Sequence, residues 1–147
     1  MRLVIVISLF VLGSLFISCD ENTSNSDIPS VVLNTFNLEF KQVEDISWKR
    51  RGEHYEVEFE IEDVDHSALI NAAGKLIKYK KEIEIRDLPQ EVLASIRSAG
   101  SGKIGELHLL VIENKKYYQV EIDGRLTDSY MIFLESGEEV ENVIYFE

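Results

Sequence analysis

The stretch EHYEVEFEIED, Glu53 to Asp63, constrains the fold of this chain more than any other feature. Tyr55, Val57, Phe59 and Ile61 alternate with Glu56, Glu58, Glu60 and Glu62. A period of two belongs to a strand with one apolar and one polar face. The glutamate side has three readings: a cation site, a docking surface, or the wet side of a sheet. Same-face residues along a strand lie about 6.6–7 Å apart, so four glutamates cannot share one ion. A neighbouring pair would hold Ca²⁺ only with further oxygens from a facing strand or loop. Lys49, Lys78 and Lys80 are expected opposite the row, each exposed pair worth about 1 kcal/mol or less. Dense like charge also speeds encounter with a basic partner.

Around this strand the chain alternates helix and strand signals. Val32, Phe36, Phe40 and Val43 recur at helical spacing after Pro29, which predicts a helix from about Ser30 to Gln42. Strands follow at about Asp45–Arg50 with Trp48, Glu53–Glu62, His66–Asn71 and Leu76–Ile85, with turns at RRGE and NAAGK. The plan then recurs. Leu88, Val92, Ile96 and Ala99 form a second stripe after Pro89, leading to a strand at Glu106–Glu113, to KKYYQVEIDG, and to RLTDSYMIFLESGEE and VENVIYFE. Pro29 to Trp48 is nineteen positions and Pro89 to Leu107 eighteen, so the period is about sixty. The reading is a mature domain, 29–147, of two repeats at about 29–86 and 87–147.

The N-terminus carries Arg2, an apolar run from Leu3 to Phe16, and then Cys19. The run is shorter than the roughly 20 residues of a spanning helix, and residues 1–18 read as an export signal. Cys19 is the only cysteine, so the domain has no internal disulfide. FISC resembles a bacterial lipoprotein processing box, which makes Cys19 the expected lipidation site; the competing reading is a secreted protein with a stray cysteine. Residues 19–28 form a polar tether. Asp20 and Glu21 look like the acidic export signal of Bacteroidetes-type surface lipoproteins, whereas in enteric bacteria an aspartate there would mark inner-membrane retention. The expected location is the cell envelope, lipid-anchored at the outer membrane, on its periplasmic side or at the cell surface. A formal charge of −12 with no basic, aromatic-interleaved stripe excludes nucleic acid as a partner.

A proline-led helix, a tryptophan strand, YEVEF, a turn ending in Gly-Lys, then DLP and a second helix together resemble the PepSY-like family also described as β-lactamase-inhibitor-like. The resemblance rests on Trp48, Tyr55, Val57, Phe59, Gly74, Lys75, Leu88 and Pro89 and spans Pro29 to Phe146. It implies an α+β fold of tandem repeats, each a helix packed on an antiparallel four-stranded sheet, similar to a β-lactamase inhibitor protein. It also implies a non-enzymatic periplasmic or surface protein. Relatives carry an aspartate pair around the turn near Gly74, where this chain has Asn71 and Ala73, so no cation at that turn is implied here.

No catalytic constellation stands out. His54, His66 and His108 show no HxH or HExxH spacing, and zinc would need two of them to converge with Glu56. GSGKIG at 100–105 follows a helix and precedes a strand, the reverse of a phosphate-binding loop. No cofactor is expected. The candidate binding face is Glu56, Glu58, Glu60 and Glu62 with Trp48 and Tyr117, the two aromatics being either interface or core. Tyr117 and Tyr118, adjacent in a strand, must face opposite ways. The expected function is a non-enzymatic binding or inhibitory module for a protein or peptide of the envelope. The alternative is an envelope protein binding a small ligand or cation, and an enzyme ranks last.

Overall fold

A computed structural model describes residue 24 and residues 27–99, 102–124 and 126–146. The export segment, Cys19 and most of the tether lie outside the described residues. The elements are α1 (Ser30–Glu39), β1 (Glu44–Arg51), β2 (His54–Ile61), β3 (Val64–Asn71), β4 (Leu76–Glu82), α2 (Gln90–Ala99), β5 (Lys103–Ile112), β6 (Lys115–Asp123) and β7 (Ser129–Phe133).

The seven strands form one antiparallel sheet in chain order. This corrects the expectation of two four-stranded sheets. β4 pairs directly with β5, from Lys78 opposite Ile112 to Glu82 opposite His108, so the edges of two would-be sheets are joined. Joining them satisfies backbone groups that two separate edges would leave open. The expected eighth strand is reduced to a single bridge, Phe133 to Glu139, with the Val140 N–H donating to the Ile132 carbonyl. Beyond it the chain leaves the edge and crosses one face of the sheet.

Both helices lie on the other face. α1 buries Val32 and Phe36 against Trp48, Val57, Phe59, Ala68 and Ile70. Phe36 meets Trp48 and Phe59 edge-on, at ring separations of 5.3 and 5.1 Å. α2 buries Val92 and Ile96 against Leu107, Tyr118, Val120 and Phe133. Cross-strand partners share a face, and Ala68–Tyr79 and Tyr79–Val111 carry the α1 face across into that of α2. Tyr118 therefore belongs to the helix-covered core, and Tyr117 points the opposite way.

A contact between helix and turn recurs in the two halves. The Thr35 hydroxyl donates to the Gly74 carbonyl, and the Ser95 hydroxyl to the Gly137 carbonyl, each at 2.7 Å. Both glycines have φ near +80°, at 81° and 82°. A Cβ on Gly74 would sit 2.6 Å from Val31 Cγ2, and one on Gly137 would sit 2.6 Å from the Glu91 carbonyl oxygen. Each helix is thus seated on a turn that only glycine admits. Asn71 completes the first turn, its side-chain oxygen accepting the Ala73 and Lys75 N–H groups.

Candidate functional site

The sheet face away from the helices divides into two halves. Over β4 to β7 it is apolar: Leu110, Tyr117 and Ile132 are buried there under Phe146, with Val140, Val143 and Tyr145 packed alongside. Over β1 to β5 it is polar and open. A register row crosses both halves, Ser47–Glu58–Ser67–Lys80–Leu110–Tyr117.

The open half holds a groove of about 380 Å³. Ser67, Lys80 and His108, all under 9% exposed, form its floor. Asp45, Glu58, Glu60, Asp65 and Glu106 form its rim. Two strand irregularities supply two of those carboxylates. The register of β1 shifts between Glu44 and Ser47 and places Asp45, whose φ is 48°; that of β5 shifts between Ile104 and Leu107 and places Glu106. A bulge re-aims side chains in this way.

The electrostatics follow from burial and crowding. Burial, with the Lys80 ammonium nearby, lowers the His108 pKa to about 4, so the imidazole is neutral at pH 7. Its Nε2 lies 4.0 Å from Glu106, and its Nδ1 is buried without a hydrogen-bond partner. Glu60 is held above the usual carboxylate range by partial desolvation and then by Asp45 and Asp65. Lys49 is raised, chiefly by its 2.8 Å hydrogen bond to Glu58. Lys78 is lowered by burial, although Glu56 pulls it upward.

The structure brings only part of the expected binding face together. Glu58 and Glu60 reach the groove. Glu56 is 6% exposed and is paired with Arg51 at 2.9 Å, so it lies beneath the surface rather than on it. Glu62 is outside the strand: with Asp63 it forms the two-residue turn between β2 and β3, at φ of 55° and 60°. Trp48 is buried under α1 on the opposite face, and Tyr117 is buried beneath the segment after β7, so neither joins the glutamates. Cys19 lies outside the described residues. His66 and His108 both border the groove, but His66 stacks between Phe59 and Tyr79 on the helix side, and no histidine belongs to a group of three or more metal-ligating side chains among the described residues.

Asp45, Asp65, Glu106 and His108 were not expected at a site. Their only trace in the sequence is the polar interruption of apolar runs, as in ELHLL at 106–110. One further group could hold a cation on geometry: oxygens of Glu121, Asp123 and Asp128 lie within 4.8 Å of one another at the β6–β7 connection. Partial desolvation, and then Glu106, Asp128 and Asp123, push the Glu121 carboxyl above its usual range.

No family model matches the sequence, and no curated protein matches it. Solved structures do share its fold. A candidate periplasmic protein of Bacteroides eggerthii superposes with a TM-score of 0.72 at 11% identity, over 77% of this chain and 86% of that one. A DUF2874 family protein of Bacteroides uniformis gives 0.69 at 13%, over 77% and 86%. A BLIP-like protein of Bacteroides fragilis gives 0.67 at 15%, over 77% and 83%. The fold is therefore BLIP-like, a seven-stranded sheet with two helices.

Proposed function

We propose that this chain is an exported, non-enzymatic binding protein of the cell envelope, lipid-anchored through Cys19, whose open sheet face engages a basic segment of a protein or peptide. The observation that carries this reading is the groove itself. Five carboxylates rim a cleft whose one lining lysine among the described residues, Lys80, is sunk in the floor, on the sheet face that neither helix covers; of the five, Glu58 is ion-paired to Lys49 at 2.8 Å. Such a field attracts and orients a cationic segment before contact. A fold neighbour that is a candidate periplasmic protein, together with the export signal, supports the envelope location.

The test is capture from envelope extract on immobilised residues 20–147, beside a variant with Glu58→Gln, Glu60→Gln, Asp65→Asn and Glu106→Gln. A stoichiometric protein held by the native domain, released by salt and lost with the variant is the expected result. Equal capture by both forms places the interface elsewhere, and no capture by either refutes a protein partner in that extract.

A further inference from the structure

On the apolar half of the same face the protein's own chain covers the sheet. Gln119, fully buried in the middle of β6, donates from Nε2 to the Phe146 carbonyl at 3.1 Å and accepts the Phe146 N–H at Oε1 at 2.8 Å. A carboxamide matched to both backbone groups of one residue grips an extended chain whatever its side chain. Specificity comes from the ring. Phe146 is 4% exposed among Leu110, Tyr117 and Ile132, with the Lys78 ammonium 4.0 Å from its centroid and that of Lys80 at 5.5 Å. Cations over an aromatic face favour a π-rich occupant.

Besides Phe146, the occupant is held by the Val140 N–H on the Ile132 carbonyl, by Val143 and Tyr145 against the sheet, and by the Tyr145 ring 4.7 Å from that of Tyr130. Residues 141–146 belong to no strand, and Ile144 is 83% exposed in their midst. A segment with few backbone bonds opens far more easily than the sheet beneath it. We infer that this cleft is a binding site for an extended peptide bearing an aromatic residue, with Val140–Phe146 as its resident, displaceable occupant. It is a different cleft from the acidic groove and shares only Lys80 with it. Lys80 touches both, so a partner crossing from one to the other would present basic residues beside an aromatic one.

The probe is the labelled heptapeptide VENVIYF, titrated by fluorescence anisotropy into residues 20–147, which contain every described element. Phe146→Ala empties the ring site and should bind the peptide at least about tenfold more tightly than the native domain, whose site is filled. Adding Gln119→Ala should abolish that gain. No gain with Phe146→Ala, or a gain that survives loss of Gln119, overturns the inference. If Phe146→Ala does not fold, hydrogen exchange on the native domain decides. The Phe146 amide should exchange at least about tenfold faster than those of Leu110 and Val120. Equal protection would make the segment an integral part of the core and overturn the inference. Because the probe is the chain's own sequence, the result is independent of whether the groove has a basic partner.

Discussion

Replacing His108 with glutamine tests how dry the floor of the groove is. The folded protein holds this imidazole at a pKa of about 4, against 6.5 when unfolded. Between those values the unfolded chain takes up a proton that the folded chain refuses. The histidine's contribution is therefore intact above about pH 6.5, falls as the pH drops toward 4, and changes no further below that. Each tenfold difference in proton affinity is worth about 1.4 kcal/mol, so the full loss is roughly 3 kcal/mol, most of it reached by about pH 4.5. Lys80 opposes protonation from β4, whereas the exposed Glu106, 4.0 Å away, and Glu82, directly opposite on β4, favour it. Trp48, the only tryptophan and 4% exposed, reports unfolding by fluorescence. Urea titrations at about pH 7 and about pH 4.5 should show the native domain losing about 2 kcal/mol more than His108→Gln on acidification. The other carboxylates titrate in both proteins and cancel. Equal losses would mean that water reaches His108 and that the floor is not a low-dielectric surface.

The helix seats, the acidic trio and the anchor give separate tests. Gly74→Ala combines a positive φ with overlap against Val31 and should cost about 3 kcal/mol in urea unfolding, whereas Gly52→Ala, with φ of 62° and nothing within 4 Å, should cost about 1 kcal/mol; equal costs would refute the close approach of α1 to its turn. Glu121→Gln removes a charge that its neighbours already resist, so the urea midpoint at neutral pH should rise, and a fall would show that the trio is held by favourable contacts instead. Cys19→Ser should abolish labelled fatty-acid incorporation and release the exported protein from membranes; retention on membranes would refute the lipid anchor.

Much of this fold was legible because its local rules agree. The alternation in β2 separates core from solvent correctly for Tyr55, Val57 and Phe59, and the prolines at 29 and 89 mark both helices. The alternation does not say where a strand stops: it runs on through Glu62, where the turn has already begun. It also cannot say which face of a neighbouring strand carries an aromatic. One step of register decides whether Trp48 lies beside Glu56 or behind it, and Trp48 pairs with Val57. The segment VENVIYF has the apolar density of a strand, yet it is drawn off the edge by Gln119, a residue that reads as a polar break in YYQVEI until its partner 27 positions later is known.

The groove was hidden for a different reason. Its floor joins Ser67 and Lys80 of the first half with His108 of the second, and its rim joins Asp45, Glu58, Glu60 and Asp65 with Glu106. Those sets meet because β4 and β5 pair at Lys80–Leu110 and Glu82–His108. Two separate sheets, as the sixty-residue period suggested, would leave Lys80 near an exposed edge and His108 at another. Neither would then be buried, and neither would face the other's acidic neighbours. The continuity that contradicts the two-sheet reading is therefore what creates the groove: it desolvates one lysine and one histidine from different halves and gathers five carboxylates above them, of which Glu58 is paired with Lys49. Sequence periodicity finds the units, but a site at their junction depends on the one strand pairing that the period does not contain.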